Sequence, residues 1–132
     1  MDYFRSSLKH RYLCERLGLS NGQVFTLMAL LEISVIDYEI VQLLKLYPPG
    51  RMAANVWEPL HAGGWLVSHS TPPKKGSLGG APRRAFSLTP SAREKLVLLS
   101  KEADAWAISQ VEAARSSSHF LATELLTGLE TE

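Results

Sequence analysis

Apolar residues recur at helical spacing over residues 3–17: Phe4, Leu8, Tyr12 or Leu13, and Leu17, with Arg5, Lys9, Arg11, Glu15 and Arg16 between them. Side chains three or four apart share a helix face, so this stretch predicts an amphipathic helix stopped by Gly18. Ser20 and Gln23 then have the spacing of a capping box. In that arrangement the serine hydroxyl accepts an orphan backbone N–H while the glutamine reaches back to the cap. Residues 24–33 are apolar nearly all round, which predicts a buried helix.

Asp37 is a good N-cap for a short helix over 38–47, with Ile40, Val41, Leu43, Leu44 and Tyr47 as its apolar face. Pro48-Pro49-Gly50 must end it, because proline cannot continue a helix. A third helix is expected from about Arg51. Met52, Val56 and Leu60 form its buried stripe, joined by Ala53 and Trp57, while Arg51, Ala54, Asn55, Glu58 and Ala62 fall on the opposite face. Pro59 lies inside this stretch and removes a backbone bond, so a kink or a late start is expected there. Gly63-Gly64 closes the helix.

The period then changes. Residues 65–69 are β-type, 71–82 are dense in Pro, Gly, Ser and Lys, and 83–88 partly alternate polar and apolar. Two strands around a long basic tip form a hairpin. Thr89-Pro90 is a helix start, with a capping hydroxyl and proline at the first helical position. A stripe through Leu96, Leu99, Ala103, Trp106 or Ala107, Gln110 and Val111 carries one helix to about residue 115. Ser116-Ser117-Ser118 is expected to interrupt it before a short helix over 119–129.

Helix, helix, turn, helix and hairpin make a winged helix-turn-helix. The expected class is α+β, mostly α, with a two-stranded wing and terminal dimerisation helices. The chain divides into an N-terminal packing or dimerisation helix (1–19), a winged domain (20–93) and C-terminal dimerisation helices (94–132). In such a unit the third helix enters the DNA major groove and the wing follows the backbone or the minor groove.

Composition alone points the other way, since a net charge of +1 over 132 residues is no signature of a nucleic-acid partner. The distribution changes that picture. Residues 1–39 carry four basic and five acidic groups, and residues 94–132 carry three basic and seven acidic. Between them, Lys45, Arg51, Lys74, Lys75, Arg83, Arg84 and Arg93 face only Glu58. The basic third coincides with the recognition helix and the wing, where a polyanion would be met. Cys14 is the single cysteine, which excludes an internal disulfide framework and fits a reducing cytoplasm. The charge-free runs hold polar and turn residues, so neither reads as a membrane span, and the first residues lack the apolar block of a secretory signal.

Three segments, Asp37-Tyr38-Glu39-Ile40, Leu60-His61-Ala62-Gly63-Gly64-Trp65-Leu66 and above all 79–90 (GGAPRRAFSLTP), resemble the PadR-type winged-helix regulators within the broader MarR-like group. The resemblance spans roughly residues 24–100. It implies a homodimer, usually a repressor, that binds palindromic promoter DNA and often dimerises through helices at the chain ends. Ala54-Asn55 stand where the family has an aromatic-proline pair, and Ala92-Arg93 where it has a glycine.

The candidate DNA-binding residues are Arg51, Ala54, Asn55 and Glu58 on the recognition helix and Lys74, Lys75, Arg83 and Arg84 on the wing. Arginine can bond guanine and asparagine adenine in bidentate fashion, whereas the wing cations suit phosphate. The bland alternative for each is an ordinary solvated surface. Tyr3, Phe4, Trp106 and Phe120 are the candidate dimer contacts, because two terminal amphipathic helices exceed what so small a core can cover; monomeric packing is the alternative. Gly76, Gly79 and Gly80 lack the Gly-Lys-Ser/Thr ending of a nucleotide-binding loop. His10, His61, His69 and His119 are scattered, no metal ligand set or catalytic constellation is expected, and no cofactor is implied. An effector, if one exists, would sit between the helical layer and the winged domain. The expected function is a sequence-specific, double-stranded DNA-binding transcriptional regulator, not an enzyme. The alternative is a winged-helix protein-interaction module in a phage, plasmid or replication assembly.

Overall fold

A computed structural model describes residues 2–45, 51–71 and 83–131. Helix α1 (Asp2–Leu17) ends at Gly18, whose φ of +67° suits a residue without a Cβ and lets its N–H reach the Cys14 carbonyl at 2.9 Å. Helix α2 (Asn21–Glu32) starts with the expected capping box. The Gln23 N–H donates to Ser20 Oγ at 3.2 Å, and the Ser20 N–H donates to Gln23 Oε1 at 3.0 Å. Val24, Leu27 and Leu30 are buried. All-round burial of α2 is corrected, because Phe25 lies on its outer side and is 54% exposed.

The chain then forms a strand too short to show a period, β1 (Ile36–Asp37). Asp37 leaves that strand and caps α3 (Tyr38–Leu44), accepting from the Ile40 N–H at 3.0 Å. Only one turn of α3 meets the core. Val41 is buried and Ile40 half-buried, whereas Leu43 and Leu44, expected on the apolar face, are exposed. Tyr47 lies outside the described residues.

The third helix contains a π-turn, Ala53–Trp57, and continues as α4 (Glu58–Ala62). Met52, Val56, Trp57 and Leu60 are buried as expected, but Ala53 is exposed. Gly63 and Gly64 follow, the latter at φ +82°. Strand β2 (Leu66–Thr71) pairs antiparallel with β3 (Arg83–Leu88), from Leu66 opposite Leu88 to Thr71 opposite Arg83. These two strands are the expected wing, and they belong to a three-stranded sheet because β1 pairs with the other edge of β3, Ile36 opposite Phe86.

Thr89 caps α5 (Pro90–Thr131), its hydroxyl accepting from the Ala92 N–H at 3.1 Å. The expected interruption at Ser116-Ser117-Ser118 is corrected, since the helix runs unbroken for 42 residues, about 63 Å at 1.5 Å per residue. Serine lowers helix propensity by only a few tenths of a kcal/mol and keeps its backbone donor, so three of them do not break a helix.

Two apolar clusters hold these elements. The larger joins α2, β1, α3, α4 and the sheet to the start of α5, with Leu27, Ile36, Val56, Leu60, Phe86 and Leu96 at its centre. The smaller packs Leu13 and Val24 against Leu99 and Ala103, so α1 lies on α5 within one chain. Polar contacts reinforce that seam. Lys9 pairs with Asp104 at 3.2 Å, the Tyr12 hydroxyl donates to Glu102 at 2.6 Å, and the Tyr12 ring lies 5.2 Å from Trp106. The bond to the Glu102 carboxylate holds the Tyr12 phenol above its ordinary pKa.

Candidate nucleic-acid interface

The buried stripe of the third helix decides which residues point outward. With Met52, Val56, Trp57 and Leu60 in the core, Arg51, Ala54, Asn55 and Glu58 are all exposed on the other side. One cation, one amide and one carboxylate on neighbouring turns can offer donors and an acceptor to base edges.

Pro59 accounts for the local backbone. In a regular α-helix the N–H of residue 59 would bond the Asn55 carbonyl, and proline has no N–H. The turn before it widens, with the Glu58 N–H reaching the Ala53 carbonyl. The Asn55 carbonyl instead accepts from the side-chain Nε2 of Gln23 on α2, at 3.0 Å. From the sequence, Gln23 is expected only to close the cap. Its second bond could have been sought from Pro59, which leaves a carbonyl to be satisfied four residues earlier.

The wing meets this helix through an aromatic stack missed from the sequence. Trp57 of the π-turn lies on Phe86 of β3, centroids 4.4 Å apart and planes within 12°. The guanidinium of Arg84 sits 5.0 Å from the Phe86 centroid and donates from Nε and Nη2 to Ser68 Oγ at 3.4 and 3.3 Å. Arg84 is thus exposed, oriented, and tied to the sheet that stacks on the third helix. Arg83 opens β3 opposite Thr71. Lys74 and Lys75 lie outside the described residues. Across the outer part of the same sheet, His69 Nε2 and Ser87 Oγ are 2.7 Å apart.

Arg93 departs from the expected basic surface. Its guanidinium turns inward and donates to the carbonyls of Leu31 at 3.4 Å and Leu30 at 3.3 Å, near the C-terminus of α2. A cation there meets both unsatisfied carbonyls and the negative end of the helix dipole, which outweighs exposure to solvent.

The candidate dimer residues divide. Tyr3, Phe4 and Phe120 are exposed, whereas Trp106 is half-buried beside Tyr12. An open groove of about 420 Å³ runs between α1 and α2, with Leu13, Phe25 and Met28 on its floor and His10 at its side. Near it, Cys14 donates to Asn21 Oδ1 at 3.4 Å, and burial pushes its thiol pKa up, away from the reactive thiolate. Among the described residues no helix is long and apolar enough to cross a membrane.

No family model matches the chain, and no curated protein does. Among solved structures, that of disulfide-formed AbfR superposes with a TM-score of 0.57 at 15% identity, covering 97% of this chain and 86% of that one. At that identity the likeness is one of fold. It agrees with the α+β winged helix described above.

Proposed function

We propose that the chain is a sequence-specific, double-stranded DNA-binding transcriptional regulator of the PadR-like kind. In this reading it acts in the cytoplasm as a homodimeric repressor and has no enzymatic activity of its own. The observation that carries the reading is the exposed face of Arg51, Ala54, Asn55 and Glu58 beside a sheet that presents Arg84. Arg51 and Asn55 would meet base edges; Arg84, with Lys74, Lys75 and Arg83, would meet phosphates. The exposed Tyr3, Phe4 and Phe120 support burial against a second copy, which would double the basic surface and set the half-site spacing. The groove between α1 and α2 is the site at which an effector would be sought.

Selection of bound duplexes from a random pool tests this reading and supplies the operator. A preferred palindromic sequence is expected. Lys74/Lys75→Ala should weaken binding uniformly across sequences and lower the salt slope by about one unit per lysine. Light scattering should give a dimer, and a stable monomer at micromolar concentration would count against the interface residues. The π-turn before Pro59 and the Glu58 carboxylate on the outward face favour a second reading, a protein-interaction module. One stoichiometric protein partner, together with duplex binding indifferent to sequence, would decide for it.

A further inference from the structure

We propose that Gln23 is a positioning residue for DNA reading, holding the Asn55 turn of the recognition helix in the geometry from which Asn55 meets a base. This rests on the DNA-binding reading and adds to it a residue of a different helix.

Both ends of the Gln23 amide are committed. Oε1 accepts from the Ser20 N–H at 3.0 Å, and Nε2 donates to the Asn55 carbonyl at 3.0 Å. The assignment of oxygen and nitrogen follows from the partners, since a backbone N–H can only donate and a carbonyl can only accept. One side chain therefore ties the first turn of α2 to the carbonyl that Pro59 deprives of its α-helical donor. On the other side the same π-turn is held by Trp57 stacked on Phe86. A π-turn displaces its side chains from regular α-helical register, so its direction depends on such outside contacts. Gln23 is a contact made directly to the Asn55 backbone.

Glutamate is the informative substitution. Gln23→Glu keeps an oxygen for the Ser20 N–H, so the cap survives, but it sets an acceptor against the Asn55 carbonyl. The full-length protein and the duplex selected by the wild type are used, with variants of that duplex at each base pair. Asn55→Ala identifies the base pair that Asn55 reads. Gln23→Glu should lower discrimination at that base pair by about tenfold, the size of one lost base contact, and leave the salt slope unchanged. The double variant Gln23→Glu/Asn55→Ala should discriminate no worse there than Asn55→Ala alone.

Wild-type discrimination in Gln23→Glu, a uniform loss with the ratio intact, or additive losses in the double variant would each overturn the inference while the DNA reading stands. A wild type that selects no duplex overturns both. Should Gln23→Glu fail to fold, Pro59→Ala replaces it. A backbone N–H at 59 competes with Gln23 for the same carbonyl and should change discrimination at the same base pair, and an unchanged ratio there overturns the inference.

Discussion

The two halves of α5 share one backbone and differ in what surrounds them. In the first, Ala92, Leu96, Leu99, Ala103 and Ala107 are buried at spacings of three and four, against the sheet, α2 and α1. In the second, Phe120, Leu121, Leu125 and Leu126 repeat a similar apolar pattern and are all more than half exposed. The periodicity that signals a core in one half therefore signals an unpartnered face in the other. Packing sustains the first half, while propensity and backbone hydrogen bonds sustain the second.

The sharpest way to break this comparison is a pair of matched truncations. Leu96 is fully buried where the large cluster meets α5. Leu96→Ala should cost about 2–5 kcal/mol, as large-to-small changes in closed cores do. Leu125→Ala, 60% exposed in the single chain, should change the unfolding of a monomeric sample by no more than about 0.5 kcal/mol. Urea denaturation at low protein concentration compares the two. Equal losses would mean that the second half is packed in the monomer as well.

A smaller effect tests how the first half is joined to the winged domain. Arg93 lies one turn into α5 and donates to two carbonyls near the end of α2. Arg93→Ala should cost about 1–2 kcal/mol, the scale of charge-assisted hydrogen bonds at a half-buried site. It should leave the salt slope of the proposed DNA binding unchanged, because this guanidinium already faces the protein. A slope lower by about one unit would mean that this guanidinium meets phosphate in the proposed complex.

These contrasts explain what could be read in the chain. The capping box at Ser20, the Asp37 and Thr89 caps, the glycine stop at Gly18 and the outward face at Arg51 and Asn55 are local chemistry, decided within a few residues. The features that escaped depend on distant partners. Strand β1 exists because Ile36 pairs with Phe86, and Arg93 turns inward because the end of α2 lies beside it. The Gln23 side chain found its second partner at Asn55 only once α2 and the third helix were packed together. Phe25 and Leu43 are apolar without being buried, and nothing in their immediate neighbours distinguishes them from core positions.

The smallest effect is expected where the two expected helix breaks differ most. Pro59 and Ser116-Ser117-Ser118 both suggested a break, yet only the proline altered the backbone, because only it lacks the N–H and clashes with the preceding turn. Replacing an exposed mid-helix serine should therefore act through propensity alone. Ser117→Ala should raise the helix signal slightly and stabilise the chain by a few tenths of a kcal/mol, roughly 0.3–0.5. Ser117→Pro should split α5 at that point, with a loss of far-ultraviolet helicity in the second half and little change in the unfolding midpoint of a monomeric winged domain. If the proline variant lowered that midpoint as much as Leu96→Ala, the second half of α5 would be part of the same cooperative unit as the first.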